Sequence, residues 1–383
     1  MKRFSTAFFL LLFLPFLVVK AQVIPPSDEA GEDNIQYSIV PFAGYTSDLG
    51  LIGGLLLQRF NYGGESDDPF LSNTKLDFTI STKGNIIGEF DYERTRSFGT
   101  DIRSRFTFRG ERDQQSHYFG IGNRTEFSSG QYEDDFFFFE SRRLSLMYSG
   151  RKQVGEFSED GIIDLIVPVS FTFLDASSGN GPTRFDEDLP EGNGSGWVNK
   201  IGIGLIADSR DSEFAPTRGF RYLAGIKTSP SFAGSDYTFS ELTGDFRHYK
   251  EIFKDVVVAQ KIQADHRLGS PPFWEMAALG SQDGLRGFHQ DRFLGDSSIL
   301  HLLELRTWLF SLWDGDIRLG GQLFWDTGRV FSNFDSARFF ENWKHTFGAG
   351  GAMSLFNSDF ILRGDIGFSE ESARIYIGVG YVF

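Results

Sequence analysis

Apolar and polar residues alternate from Ala373 to Phe383. Ala373, Ile375, Ile377, Val379, Tyr381 and Phe383 fall on one side, and Arg374, Tyr376, Gly378, Gly380 and Val382 on the other. A period of two marks a strand with unlike faces. An apolar face running to a closing aromatic suits a strand that seals a membrane barrel, with apolar side chains toward lipid and small or polar ones toward the lumen. On that reading Tyr381 and Phe383 form a C-terminal assembly signal on the lipid face. The last strand of a soluble sandwich would alternate too, so this segment alone leaves both architectures open.

The same text recurs along the chain. Ile102, Phe106 and Phe108 alternate with Arg103, Arg105, Thr107 and Arg109, and Ile201, Ile203, Leu205 and Ala207 with Gly202, Gly204 and Asp208. Ile317, Leu319, Leu323 and Trp325 alternate with Arg318, Gly320, Gln322 and Asp326. About sixteen strands are predicted, starting near Tyr37, Leu49, Asn73, Asn85, Asp101, Phe136, Ile163, Asn199, Arg218, Tyr237, Asp255, Ile299, Asp316, Thr346, Phe360 and Ala373. Their connections decide between the architectures. Those after odd-numbered strands are long: Gly110–Asp135, Ser177–Trp197, Ser270–Ser298 and Ser332–His345. Those after even-numbered strands are short: Arg94–Thr100, Lys250–Lys254, Ser311–Gly315 and Phe356–Asp359. Short turns at one end and long loops at the other are the habit of outer-membrane barrels. The expected fold is all-β: a transmembrane antiparallel β-barrel of about sixteen strands over residues 37–383.

The N-terminus agrees. Lys2 and Arg3 precede an apolar run from Ala7 to Val19, and Val19-Lys20-Ala21 offers a cleavage site before Gln22. This is the layout of a secretory signal peptide, here residues 1–21. The run is too short to span a bilayer as a helix. Residues 22–36, with Pro25-Pro26 and several acids, read as a short acidic lead. There is no cysteine, which excludes a lipid-anchored lipoprotein, a disulfide scaffold and a thiolate metal site. The 383-residue chain has a net charge of −15. Without Lys2, Arg3 and Lys20 it is −18, from 34 basic and 52 acidic residues. Nucleic acid, which needs a basic footprint, is not an expected partner.

Within the long connection Ser270–Ser298 stands Leu285-Arg286-Gly287-Phe288. It resembles the (Val/Leu)-Arg-Gly-(Phe/Tyr) loop of the superfamily of outer-membrane assembly and translocation barrels. That superfamily includes BamA, TamA, the two-partner secretion transporters and the chloroplast import channel. Asp208-Ser209-Arg210-Asp211 with Pro216 and Gly219 resembles the family's periplasmic turn motif, and Glu304 and Asp326 its two lumen-facing acids after the loop. The resemblance covers roughly Tyr37–Phe383 and implies a loop folded back into the barrel, a lateral seam and a role in handling proteins. The family's POTRA repeats are far larger than the stretch between Gln22 and Tyr37, so a barrel-only member is expected.

The residues support the loop on physical grounds. A long loop that enters a lumen needs a tether, and arginine offers a planar fork that grips carboxylates at two points. Alternation puts Glu304 and Asp326 on inward faces, and a hairpin turning at Leu312–Gly315 brings them near one another. The alternative is a solvated Arg286 above two ordinary lumen acids. Asp208–Gly219 reads as a structural turn, with Pro216 fixing φ and Gly219 reversing the chain. Pro41 in the first strand and Gly378 and Gly380 in the last weaken the two strands that must close the barrel. Those defects either let the seam part or merely relieve curvature.

Catalysis is not expected. No Gly-x-Ser-x-Gly elbow is present, and of six histidines His289 and His301 lie nearest the loop motif. No metal or cofactor site is expected, and the acids Asp186, Glu187, Asp188 and Glu191 read as a solvated loop rather than a divalent site near lipopolysaccharide. The expected function is assistance to protein insertion into, or translocation across, the outer membrane; the alternative is a passive porin-like pore. Expected partners are outer-membrane lipid and lipopolysaccharide, unfolded outer-membrane or secreted proteins, and a separate periplasmic partner.

Overall fold

The computed structural model describes residues 35–63, 70–179, 181–313, 317–332, 339–355 and 361–383. The signal segment 1–21, the lead as far as residue 34, positions 314 and 315 of the Leu312–Gly315 turn, and the Phe356–Asp359 turn lie outside the described residues.

Lipid cannot hydrogen-bond a backbone, so a chain of alternating strands must pair every strand and close on itself. The chain runs up and down through β1 (Ile35–Thr46), β2 (Gly50–Asn61), β3 (Ser72–Ser81) and β4 (Ile86–Ser97). It continues through β5 (Ile102–His117), β6 (Phe138–Ser158), β7 (Gly161–Ser178) and β8 (Gly194–Asp208). β9 (Gly219–Ser229), β10 (Phe239–Phe253) and β11 (Val256–Gly269) follow. The wall resumes with β14 (Ser297–Leu312), β15 (Ile317–Phe331), β16 (Lys344–Leu355), β17 (Ile361–Phe368) and β18 (Ala373–Val379). These sixteen form one closed antiparallel barrel in chain order. Between β11 and β14, the short β12 (Ala277–Leu279) and β13 (Phe293–Gly295) pair with each other as a separate hairpin, which the alternation pattern does not reveal. Among the described residues no helix is long and apolar enough to cross a membrane.

Each barrel strand starts within five residues of its expected position. The strands overrun some expected bounds. β1 takes in Ile35 and Gln36 from the expected lead, β5 reaches His117, and β10 runs to Phe253. The short connections are thus tighter, and the outer ends of the wall taller, than the pattern implied.

The outer face is apolar as expected: Ile201, Ile203 and Leu205 are each about half exposed. The inner face carries paired charges, including Arg105–Asp91 at 2.7 Å, Lys227–Glu241 at 2.8 Å and Arg247–Asp245 at 2.7 Å. One expectation needs correction. The inner faces of β14 and β15 are not simply small or polar, because Leu300, Leu302, Phe324 and Val330 are buried there. Leu300, Leu302 and Val330 form the apolar floor on which the β11–β14 connection lies, together with its own Leu285, Phe288 and Phe293.

A second correction concerns the chain end. The last strand stops at Val379, and Tyr381 and Phe383 do not continue its lipid-facing side. Gly380 has φ +81° and turns the chain, and Phe383 is only 6% exposed, inside the lumen. An aromatic at an even spacing reads as lipid-facing only while the strand lasts, and a left-handed glycine ends that relation.

The long loops roof the lumen. α1 (Ser129–Glu133) and α2 (Arg184–Asp188) lie in two of them. Phe119, Phe127, Tyr132 and Phe137 pack there on one another, and Tyr118, Phe139, Phe185 and Phe273 form a second ring cluster. The expected acidic loop is partly this helix. Thr183 and Asp186 form a reciprocal cap, and Asp188 binds Arg184 at 2.9 Å and the Tyr118 hydroxyl at 3.2 Å. Below the roof a cavity of about 900 Å³, lined by both charged and apolar side chains, remains between the wall and the folded-back loop.

Candidate functional site

The β11–β14 connection folds back into the barrel and brings Arg286 to β14, β15 and β17. Its guanidinium takes Asp326 in two-point fashion, Nε donating to Oδ2 at 2.8 Å and Nη2 to Oδ1 at 2.7 Å. Nη1 lies 2.6 Å from Glu304 Oε1, and the backbone N–H of Arg286 also donates to Asp326. All three side chains are at most 1% exposed. The guanidinium carbon stacks 3.4 Å from the centre of the Phe324 ring, a cation–π contact made strong by the absence of solvent. The proposed tether residues are therefore brought together. The register explains it: Asp326 pairs with Leu302 and Glu304 with Phe324, so the acids stand two residues apart on facing strands.

A third acid was missed. Asp365 on β17 lies 3.5 Å from Arg286 Nη1 and 3.2 Å from Arg363. Its signal was the inward alternation of Arg363, Asp365 and Gly367, three strands beyond the loop. Space for this cluster comes from β16. A Cβ at Gly348 would meet the Phe324 ring at 2.1 Å, and one at Gly350 would meet Asp365 at 2.0 Å.

Gly287 has φ +102°, and a Cβ there would meet the backbone of Phe368 and Ser369 at 3.0 Å. The motif glycine thus serves both a left-handed turn and a close approach to β17. Its N–H donates to the Tyr376 hydroxyl at 3.1 Å, and its carbonyl accepts from Ser372 at 2.7 Å and Ser369 at 2.8 Å. Leu285 and Phe288 are fully buried on the apolar floor. Further along, Arg292 anchors the loop to the roof, with Nε and Nη2 each 2.8 Å from Glu371 and Nη1 2.6 Å from Thr125 Oγ1. Of the two histidines expected near the motif, His289 accepts from Arg374 at 2.8 Å. His301 does not approach it. It sits on the outward face, edge-on to Trp325, because alternation puts it opposite in phase to Glu304.

The turn motif adopts a self-contained structure. Arg210 grips Asp208 through Nε at 2.9 Å and Nη2 at 2.8 Å, and Asp211 accepts from the backbone N–H groups of Thr217 and Arg218. Pro216 lies in the same loop, and Gly219 opens β9 with φ +94°. A Cβ at Gly219 would meet the Ser209 carbonyl at 2.1 Å.

The seam is the weakest junction of the wall. Among the described residues β1 and β18 pair at a single position, Thr46 with Tyr376. Beside it, Ser47 N–H donates to the Ile375 carbonyl at 3.0 Å, and Ile375 N–H to Ser47 Oγ at 2.9 Å. Pro41 pairs with Leu55 of β2 and Gly378 with Arg363 of β17, while Gly380 lies past the strand. All three residues singled out from the sequence lie beyond the one cross-seam pair. One edge of β1, from Ile35 to Tyr45, has no β18 partner.

Comparison with known proteins agrees with this geometry. The fold is similar to BamA from Haemophilus ducreyi lacking POTRA domains 1–3 (TM-score 0.63, 12% identity, covering 94% of this chain and 74% of that one). It is also similar to CdiB from Escherichia coli (0.63, 12%, 92% and 63%) and from Acinetobacter baumannii (0.56, 8%, 91% and 60%). The chain thus spans about three fifths of either CdiB. No curated protein matches it in sequence. The model of the Omp85 superfamily domain matches residues 58–383, which include the loop motif, all three acids and β18. The chain is an outer-membrane barrel and belongs to the Omp85 superfamily.

Proposed function

We propose that this barrel assists the insertion of proteins into the outer membrane, or their translocation across it, by letting its seam part. The observation that supports this most is the open edge of β1. Among the described residues the seam-side N–H and C=O groups of this edge have no strand partner, and such an edge is a template for another strand. An incoming strand would add to Ile35–Tyr45, and β18, held to β17 over all seven residues, would move aside. The partners this reading requires are unfolded outer-membrane or secreted proteins, a separate periplasmic protein that presents them, and surrounding lipid and lipopolysaccharide. No chemistry is assigned to the chain itself.

A passive pore is less well supported, because the loop, the roof and the inward-turned last residues all occupy the lumen. The experiment is a seam lock. Tyr45→Cys/Ile377→Cys places the only two thiols of the chain just beyond the Thr46–Tyr376 pair. In proteoliposomes the reduced form is expected to accelerate folding of a urea-denatured outer-membrane barrel, and the oxidised form to lose that acceleration. Equal acceleration by both forms rules out gating at the seam. A large steady conductance of the unmutated barrel in planar bilayers favours the pore.

A further inference from the structure

Three cations stand side by side on the inner face, toward the short-turn end of the barrel. Arg221 of β9 is directly opposite Arg247 of β10, and Arg247 is directly opposite Lys261 of β11. Side chains so placed start about 5 Å apart, and like charges there are destabilising. The row is flanked by Asp208 of β8, opposite Arg221, and by Leu302 of β14, opposite Lys261. Asp208 is already gripped at two points by Arg210. One carboxylate, Asp245, therefore serves all three cations. Arg247 takes it with Nε at 2.7 Å and Nη2 at 2.9 Å. Arg221 Nη1 and Lys261 Nζ stop 3.8 and 3.7 Å from it, beyond hydrogen-bond distance. Among the described residues neither forms an ion pair with another carboxylate. Asp265 is engaged by Thr243, Gln263 and Arg267, and Asp283 acts on Lys261 only from farther off.

The same juxtaposition elsewhere on the inner face is balanced. Arg103 of β5 stands opposite Arg151 of β6, but Glu93 holds the first and Asp164 the second. The β9–β11 row, with Arg210, has four cations to two carboxylates in ion-pair contact. The excess of two is the charge of one phosphate dianion. A row kept against its own repulsion breaks the local rule of charge placement, as functional sites do at a cost in stability. The arginine fork and the compact lysine ammonium both grip phosphate oxygens, and inward arginine and lysine side chains line pores that take anions and phosphate. The side chains of Arg221 and Arg247 remain 19% and 24% exposed, so an incoming oxyanion can reach them.

We propose that Arg221, Arg247 and Lys261 form a binding site for a small anion that carries a phosphate dianion. Arg221 and Lys261, the two side chains that stop short of Asp245, close on its oxygens. Arg247 keeps Asp245 and adds its charge from the middle of the row. The site goes beyond the function proposed above: assistance to protein insertion neither requires it nor tests it.

The probe is inorganic phosphate, titrated at neutral pH and constant ionic strength, with chloride as the balancing anion, into purified barrels whose folding is verified by heat-modified mobility. Binding is read by phosphorus NMR line broadening and by the temperature at which the compact electrophoretic form is lost. Saturable binding to the unmutated barrel is expected. Arg221→Gln and Lys261→Gln, each made alone, are expected to weaken it at least about tenfold, and Arg221→Lys to retain most of it. Without phosphate, Arg221→Gln is expected to raise the thermal midpoint, because one like-charge contact is gone. A merely structural partner of Asp245 would lower it on removal. Absence of saturable binding to the unmutated barrel overturns the proposal, and that measurement needs no variant to fold. Equal binding by the unmutated barrel and both glutamine variants overturns it too, as does a lowered midpoint of phosphate-free Arg221→Gln. Glycerol 3-phosphate separates the sources of the group. Its binding beside inorganic phosphate supports a phosphate carried on a larger molecule, and binding of inorganic phosphate alone supports the free anion; both uphold the site.

Discussion

Arg374, on the last strand of the wall, forms an ion pair with Asp48, in the turn leaving the first strand, and so bridges the seam at its outer end. Both side chains are nearly fully buried. The loop joins in: Gln290 N–H donates to the same Asp48 oxygen at 3.2 Å, and Arg374 donates to His289. The loop tether and the seam are thus one connected assembly, fastened at the outer end and open along β1 toward the inner end.

Asp48→Asn leaves Arg374 buried without its anion. Breaking a buried pair from one side typically costs about 3–5 kcal/mol. The variant is expected to lower the temperature at which the barrel loses its compact electrophoretic form. It is also expected to slow disulfide formation between Tyr45→Cys and Ile377→Cys. An unchanged rate would show that this pair does not hold the seam.

Arg286→Ala strands Asp326 and Glu304 in a solvent-free site and removes the tether. Single-channel recordings are expected to change from mostly closed to frequently open, and the β11–β14 connection to become protease-sensitive. Arg286→Lys is expected to resemble the alanine variant, because an ammonium cannot grip Asp326 at two points. Asp365→Asn is expected to be the mildest of the three acid substitutions. Its contact with Arg286 is 3.5 Å, against 2.6–2.8 Å for the other two.

Gly287→Ala tests the backbone rather than the charge. The new methyl would press on β17 at 3.0 Å from a backbone that L-residues rarely adopt. Channel opening like that of Arg286→Ala is expected, with Arg286 itself intact. A closed channel would show that the approach to β17 yields without displacing the loop.

Acid is expected to loosen the loop through His289. Burial, and then the charge of Arg374, hold this histidine well below its ordinary range, and its ring must stay neutral to accept from Arg374. Asp48, His117, Lys83 and Arg292 complete its charged surroundings. The folded value lies below the unfolded one of about 6.5, so the unfolded chain takes up the proton first. The stability His289 contributes is present above that value and lost as pH falls below it. Thermal midpoints measured from about pH 7 to about pH 5 should fall less steeply in His289→Asn than in the unmutated barrel.

Most of the wall was legible from the sequence because lipid imposes a strict period: a residue is either outward or inward, and sixteen segments obey it. The tether was legible for a different reason, since an arginine in a long loop and inward acids on the next strands leave few places for charge to go. Legibility failed where contact is decided by non-neighbours. Asp365 and Gly367 join the cluster from β17, which three strands, β14 to β16, separate from the loop in the chain. Leu300 and Leu302 look like strand filler until the loop lies on them. Tyr381 and Phe383 keep the correct alternation and still face inward, because Gly380 breaks the geometry that gives alternation its meaning.

The height of the wall has a consequence for the cell surface. β6 has 21 residues and β7 18, while about ten tilted residues suffice to cross the hydrocarbon. The part of their surplus at the Phe138 and Ser178 end, with the aromatic roof, stands clear of the outer leaflet as a stiff collar rather than as loose strings. Antibodies or phage that meet this protein on intact bacteria should therefore recognise a shaped, conformation-dependent surface that short linear peptides fail to reproduce.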